Sequence, residues 1–163
     1  MSHPDGFRSG AEPLPGDPWG EIRSKIIRHL GQFCWEGIPR GTYKTGSRQA
    51  WKGISRTELA GRRGEATQFH VRYFEIEPGG HSSLERHDHS HVVIILRGEG
   101  EARLAGSGHL VRFGDVVYIA PDEPHQFRNP GDATEPFGFL CLVNAERDPP
   151  KLLEPHDGSP GPG

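Results

Sequence analysis

The chain has 163 residues, of which 25% are charged, and a formal net charge of −3 at pH 7. This length predicts one domain with a sizeable core and is too short for two comfortable domains. The slight negative charge gives no electrostatic basis for binding nucleic acid or an anionic membrane surface, so we expect a small-molecule or protein partner. The 23 glycines and 15 prolines favour many turns between short strands, with helix as a minor component.

Cysteine usage and the lack of long apolar runs bear on the cellular compartment. Cys34 and Cys141 are far apart and in no CxxC spacing. There is no stretch of about 18 apolar residues, and the N-terminus lacks the apolar core of a signal peptide. We therefore expect a cytoplasmic protein without a membrane partner, with its thiols reduced. The apolar run around Cys141 predicts a buried core residue rather than a nucleophile.

The first 50 residues precede the region of regular strand pattern. Residues 1–18 are rich in Gly, Pro, Ser and charge, which predicts a disordered arm. Residues 19–50 are predicted to form a short helix over residues 19–30, ended by Gly31, and then an extended lead-in segment. The apolar residues at helical spacing are Ile22, Ile26, Ile27 and Leu30. Because chain breakers follow instead of a second helix, we expect no helix-turn-helix and no nucleic-acid partner.

Residues 51–147 alternate short strand-like runs with turns rich in Gly and Pro, which is typical of an antiparallel sandwich or barrel. Residues 92–96 are apolar on both faces, so this strand needs cover from outside its own barrel. The N-terminal segment and a second subunit are both candidates for this cover. We expect a homodimer, because the apolar faces exceed what one small barrel buries. Residues 148–163 lack periodicity, and we expect a disordered tail there.

The stretch between Pro78 and Gly98 concentrates side chains that bind metals. Four of them recur at every second position, so in an extended strand they would point to the same face. These residues are Glu85, His87, His89 and His91. The pattern predicts a rim for one metal ion, and a solvated histidine-rich hairpin is the alternative. Further on, an apolar strand leads through a Pro-rich turn into His125, which is well placed to face a barrel interior.

These two segments resemble the paired motifs of the cupin superfamily. In the first motif, Gly79 is followed by five residues, then Glu85-x-His87, three residues, His91, six residues and Gly98. The spacing is that of the family. However, Glu85 occupies the position of the family's first histidine, and His91 occupies the position of its glutamate.

The second motif is matched at its ends. Gly114, His125 and Asn129 fall at the expected places, whereas residues 120–122 replace the family's Pro-x-Gly turn. The resemblance covers approximately residues 67–143. Two motifs at the right separation make the resemblance specific for the fold, and the exchanged ligands make it less specific for one activity.

The resemblance implies an all-β fold, a cupin-type jelly-roll barrel of two antiparallel sheets, with one divalent transition metal in its mouth. Carried over by position, the ligands are Glu85, His87, His91 and His125. Three neutral imidazoles and one carboxylate suit Fe, Mn, Ni, Co, Cu or Zn. In this register His89 lies in an exposed turn, and it replaces Glu85 as ligand if that turn is displaced.

Two functions are compatible with such a site. The first is a mononuclear metalloenzyme acting on a small organic molecule, with dioxygenase-type oxidoreductase chemistry favoured. The second is a small-molecule binding or sensing module, or an isomerase-like barrel, without redox chemistry. No clear general base stands apart from the ligands, which keeps the second function open. Arg72, Tyr73 and Gln126 are either substrate contacts or surface groups.

Overall fold

The computed structural model describes residues 24–44 and 50–154. Within these ranges there are thirteen strands and no helix, so no helix of this part could cross a membrane. In chain order the strands are β1 (His29–Gly31), β2 (Cys34–Trp35), β3 (Gly41–Thr42), β4 (Lys52–Ala60), β5 (Phe69–His81), β6 (Glu85–Arg86), β7 (His91–Arg97), β8 (Glu99–Leu104), β9 (Ser107–Arg112), β10 (Val116–Ile119), β11 (His125–Arg128), β12 (Phe137–Asn144) and β13 (Lys151–Leu152).

The strands form a curled antiparallel sheet with two layers. One layer has the order β10-β7-β12-β5-β4-β3, and the other has the order β9-β8-β11-β6-β13. The long strand β5 joins the layers, because it pairs with β12 along its first part and with β11 where His81 lies opposite Arg128. This arrangement confirms the predicted all-β jelly-roll barrel of two antiparallel sheets.

The interior of the barrel is packed by side chains from both layers. The rings of Phe74, Phe127, Phe137 and Phe139 form a connected cluster, with centroid distances from 4.7 to 6.5 Å. Buried aromatic rings contribute a large share of a small core's stability. The cluster lies directly beneath the candidate site, since all of these residues except Phe137 also line the main pocket.

The outer face of β7 and β12 is apolar, and the described part of the N-terminal segment, residues 24–44, covers only one end of it. The Phe33 ring stacks on Tyr73 at 5.1 Å, and the Trp35 ring lies 5.0 Å from the same side chain. Further along this face, Val92 and Tyr118 are neighbours in adjacent strands and remain 36% and 61% exposed. The described residues of one chain therefore meet the predicted need for cover only in part.

The predicted helix over residues 19–30 is wrong in its described part. Residues 24–28 have no regular structure, and His29–Gly31 is a strand that pairs with Cys34–Trp35. An isolated helix of this length is only marginally stable, so tertiary packing decides the conformation. Here the extended hairpin brings its aromatic rings onto Tyr73. Residues 19–23, like the predicted arm 1–18, lie outside the described residues.

The C-terminal segment is ordered further than the sequence indicates. The strand β13 pairs with β6, and the Leu153 amide donates to the Leu84 carbonyl at 3.0 Å. The tail predicted to be disordered over residues 148–163 thus contains regular structure within its described part, up to Glu154. Backbone pairing with an exposed strand edge orders it, and such pairing leaves no apolar periodicity in the sequence. Residues 155–163 lie outside the described part.

Candidate metal centre

The motif glycines stand where the backbone is left-handed. Gly79, Gly98 and Gly114 have φ angles of +75°, +64° and +91°. Asp122 occupies the last position of the replaced Pro-x-Gly turn, and its φ angle is +61°. Aspartate tolerates this region better than most residues. The altered turn therefore still contains a left-handed residue, and this residue lies shortly before His125.

A bend that includes His89 separates two strands of opposite layers. His87 follows β6, and His91 begins β7. His125 begins β11, directly opposite Glu85. The alternating residues of the first motif therefore do not lie on one continuous strand, as the same-face argument assumed. The bend nevertheless brings His87 and His91 back together, because the two layers face each other across the barrel interior.

His87, His91 and His125 form a cluster in which one nitrogen of each ring lies within 4.8 Å of the others. All three side chains are buried. The Nε2 atoms of His87 and His91 have no hydrogen-bond partner among the described residues. Leaving a buried polar atom without a partner is costly, and a metal ion would provide the missing interaction. The donor set therefore fits a divalent transition metal.

Backbone carbonyls fix the tautomer of two rings of this cluster. His87 Nδ1 donates to the His89 carbonyl at 2.8 Å, and His125 Nδ1 donates to the Glu123 carbonyl at 2.9 Å. Because a carbonyl oxygen can only accept, Nδ1 carries the proton in both rings. In the neutral ring Nε2 then has a free lone pair, which is the form that binds a metal.

Burial keeps the three rings neutral. Desolvation lowers the pKa of His87 and of His125, and it lowers the pKa of His91 to about 2. Neighbouring imidazoles act in the same direction on His87 and His91. Since imidazole binds a metal only when it is unprotonated, the cluster is prepared to bind a cation at neutral pH.

Glu85 lines the same pocket but does not belong to the three-histidine cluster. Its Oε2 atom accepts a hydrogen bond of 2.5 Å from Ser83 Oγ and forms an ion pair with Lys44 Nζ. Tyr43 Oη lies 3.0 Å from the same Ser83 hydroxyl. Desolvation raises the pKa of Tyr43, so its hydroxyl stays protonated. No motif in the sequence marks Tyr43 or Lys44, which reach the pocket from the lead-in segment.

His89 supports the cluster from one side. Its ring stacks on His87 with a centroid distance of 3.9 Å, and its Nδ1 lies 2.6 Å from Asp148 Oδ1. The His89 side chain is only 8% exposed, so the expectation of an exposed turn residue is wrong. Asp148 also accepts a hydrogen bond from the Asp88 amide. These two contacts hold the C-terminal segment against the bend, and this segment buries the His89 ring.

The histidine cluster lies in a pocket of about 160 Å³ with an apolar wall and a basic side. The apolar wall contains Val93, Phe74, Phe127 and Phe139, and the basic residues are Lys44, Arg56, Arg72 and Arg147. Of the three polar residues left open by the sequence, only Arg72 lines this pocket. Tyr73 lies on the outer face beneath Phe33 and Trp35. Gln126 donates to the Ser82 carbonyl at 2.9 Å.

Cys141 is buried, as predicted, but it also lines the pocket. Its Sγ atom accepts a hydrogen bond of 3.3 Å from Arg72 Nη2 and lies 3.5 Å from His91 Nδ1. Burial raises the pKa of the Cys141 thiol. The thiol thus connects the histidine cluster to the basic side of the pocket, a position that the sequence did not indicate.

The chain belongs to the cupin superfamily. The cupin domain family matches residues 72–143. The chain is 43% identical over 121 residues to 1-methylthio-D-xylulose 5-phosphate methylsulfurylase from Rhodospirillum rubrum, and the match covers 74% of this chain and 75% of that protein.

Two solved structures are similar over most of their length. A cupin-2 domain from Rhodospirillum rubrum is 40% identical with a TM-score of 0.68, covering 81% of this chain and 86% of that one. A cupin 2 conserved barrel domain protein from Rhodopseudomonas palustris is 35% identical with a TM-score of 0.72, covering 82% and 89%.

Proposed function

We propose that this protein is a metal-dependent enzyme acting on a small phosphorylated keto sugar that carries a methylthio group. This is the class of compound for which its Rhodospirillum rubrum relative is named. The observation that carries the proposal is the convergence of three buried imidazoles in a pocket whose other charged lining is mainly basic. A positive pocket beside a metal suits an anionic substrate with a carbonyl group.

The proposed metal ligands are Nε2 of His87, His91 and His125, with Glu85 as the fourth ligand. Glu85 lies in the same pocket, and its contacts with Ser83 and Lys44 are both made to Oε2. His89 is the alternative fourth ligand. Its Nδ1 atom is directed to Asp148, which supports a positioning role instead. When bound, the metal supplies Lewis-acid polarisation of a substrate oxygen.

The side chains of the pocket complement such a substrate. In a 1-methylthio derivative of xylulose, the sulfur is bonded to C1, next to the C2 carbonyl. When an added thiol attacks this sulfur, the carbon–sulfur bond breaks, the methylthio group leaves as a mixed disulfide, and C1 becomes an enolate carbon that takes up the proton of the thiol. The step is therefore assisted when negative charge on the carbonyl oxygen is stabilised. Phe127 and Phe139 exclude water from one wall of the pocket. Tyr43 and Lys44 line the pocket on the side of Glu85, and burial raises the pKa of Tyr43 so that its hydroxyl stays protonated.

Dioxygenase-type oxidation of a small enolisable substrate is the second candidate function. Three neutral imidazoles and one carboxylate leave two positions on an octahedral ion, enough for substrate and dioxygen. The apolar wall formed by Val93, Phe127 and Phe139 supports it, because such a wall shields a reactive species from water. Binding or sensing without turnover is the remaining alternative.

One experiment separates these functions. Untagged protein is incubated with 1-methylthio-D-xylulose 5-phosphate, and the fate of the methylthio group is followed by mass spectrometry in an oxygen-electrode cell, with and without an added thiol. Loss of the methylthio group without oxygen uptake is the expected result. Conversion coupled to oxygen uptake supports the dioxygenase. Tight binding without conversion contradicts both enzyme functions and supports the binding module.

We further propose that the protein is a homodimer formed through the outer face of β7 and β10. Val92, Val116 and Tyr118 leave an apolar surface there, which the described N-terminal segment does not cover. The neighbouring side chains of β12, Leu140 and Leu142, extend this surface. A second copy of the same face is a self-complementary partner for a flat apolar sheet.

A further inference from the structure

Beside the histidine cluster, the geometry points to a subsite formed by Arg56, Arg72 and Arg147 that binds the phosphate group of the substrate. We refer to these three residues as the guanidinium subsite. The inference rests on the proposed function, because it assigns one part of the proposed substrate to one side of the same pocket. All three arginines line that pocket.

Arg72 is the central residue of the guanidinium subsite. It is only 8% exposed, and its Nε atom is buried without a hydrogen-bond partner among the described residues. Among the described residues its Nη2 atom donates only to the weak acceptor Cys141 Sγ, and the guanidinium lies 5.2 Å from the centroid of the Phe74 ring. A buried cation held by such weak contacts requires an anion to offset its desolvation.

The residues that the structure describes supply little negative charge to this side of the pocket. Within the described residues Arg72 forms no salt bridge, although Glu58 lies opposite it in the strand pairing. Glu58 is instead paired with Arg56, with Nε and Oε1 3.0 Å apart. Three guanidinium groups and one carboxylate leave a local charge of +2 (3 − 1). This charge matches a phosphate monoester dianion.

Arg147 is held in place without being neutralised. Its Nη1 atom donates to the Asn144 and Ala145 carbonyls at 2.8 and 3.2 Å and lies 3.1 Å from His70 Nδ1. These partners are all uncharged acceptors when His70 is neutral. Burial, followed by the neighbouring Arg72, lowers the pKa of Arg147, which is the effect expected where positive charge is not compensated. A fixed guanidinium group is prepared for bidentate contact with an oxyanion.

Cys141 lies between the guanidinium subsite and the histidine cluster and shows how close together they are. The thiol contacts Arg72 on one side and His91 on the other, at 3.3 and 3.5 Å. A ligand with its carbonyl end at the histidines can therefore reach the guanidinium subsite with its far end. The subsite would thus select a substrate that has an oxyanion at the end of a short chain.

The test is calorimetric titration of the full-length, untagged protein with D-xylulose 5-phosphate and with D-xylulose. Wild-type protein is expected to bind the phosphate ester at least tenfold more tightly, with an affinity that falls as salt is raised. Arg72→Met and Arg147→Met are each expected to remove at least tenfold of this affinity, and Arg72→Lys is expected to remove less than Arg72→Met. Arg112→Met, an exposed arginine of β9 outside the pocket, is the matched control.

Metal content is measured for each variant, because a bound metal can itself attract phosphate. Unchanged metal content with weakened binding of the ester supports the subsite, and so does weakening in Arg147→Met alone if Arg72→Met does not fold. Equal affinity for sugar and ester, or variants that bind the ester like wild type, would overturn it.

The subsite and the proposed function fail in different ways. Turnover of the methylthio substrate with a KM unaffected by Arg72→Met or Arg147→Met would refute the subsite and leave the function standing. Arginine-dependent binding of the ester without turnover of the methylthio substrate would refute the function and support the subsite.

Discussion

His89 and Asp148 join the histidine cluster to the C-terminal segment. The His89 Nδ1 atom lies 2.6 Å from Asp148 Oδ1, while the His89 ring stacks on His87. The His89 carbonyl accepts from His87 Nδ1, so this bend both orients the His87 ring and packs against it. His89 therefore contacts a histidine of the cluster through both its backbone and its ring, which supports the proposed positioning role.

Replacing His89 with Ala is expected to keep one metal ion per chain but to weaken its binding by roughly 10- to 100-fold, the effect usual for partners that orient a ligand. Elemental analysis after dialysis against a series of metal buffers measures this affinity. His109→Ala is the matched control, because His109 is an exposed histidine of β9. Loss of metal as complete as in His87→Ala would make His89 the fourth ligand and displace Glu85.

The metal-free protein is expected to lose stability as the pH falls below about 6.5. Burial lowers the folded-state pKa of His87, His91 and His125, whereas the unfolded chain titrates near 6.5. Below that pH the unfolded state binds protons that the folded state does not, so unfolding is favoured by up to about 1.4 kcal/mol per pH unit for each histidine. Above about pH 7 this contribution is constant.

Urea unfolding of the chelated protein at several pH values between 8 and 5 measures this dependence. His91→Gln removes one titrating group and should reduce the slope. A free energy of unfolding that is the same at both ends of this range would show that the histidines are not held neutral by burial.

The backbone of the two motifs was predictable, because it depends on local geometry. The motif spacing singled out Gly79, Gly98 and Gly114, and the structure shows all three at left-handed positions. The cluster of His87, His91 and His125 followed from the same spacing, since each residue stands next to a strand end. The local sequence was therefore enough to predict the barrel and to single out the three histidines.

The partners of the site were not predictable in the same way. Lys44 and Asp148 reach the pocket from segments about 40 and 60 residues away in sequence from Glu85 and His89. In the sequence Arg72 looks like an ordinary residue of an alternating strand, and only the fold shows that it faces the pocket. The wrong helix over residues 19–30 has a different cause. Ile26 and Leu30, which have helical spacing, stay exposed, and the aromatic rings of Phe33 and Trp35 pack onto Tyr73 instead, which favours an extended hairpin.

Asp122 is expected to be replaceable by Gly but not by Val. Its φ angle of +61° costs a β-branched residue about 1–2 kcal/mol or more, whereas glycine adopts this conformation freely. Urea unfolding should show Asp122→Gly within about 0.5 kcal/mol of wild type and Asp122→Val destabilised by the larger amount. Equal stability of the two variants would mean that the replaced turn does not depend on a left-handed residue.

A charge on the outer face is expected to separate the proposed dimer. Sedimentation at micromolar concentration should give a dimer for wild type and a monomer for Val92→Glu, because Val92 is in the centre of the uncovered apolar surface. Leu110→Glu is the matched control, since Leu110 is 72% exposed on β9 and outside this face. A monomeric wild type would refute the dimer, and a dimeric Val92→Glu would place the interface elsewhere.

Metal content of untagged protein, determined by elemental analysis for wild type and for single Ala variants of His87, His91 and His125, tests the central claim most directly. Wild type should retain one divalent transition metal per chain. Each variant should lose more than about 100-fold in affinity, since even partners that only orient a ligand contribute roughly 10- to 100-fold. Stoichiometric metal in all three variants, or wild-type protein that binds no transition metal when one is supplied, would contradict the account.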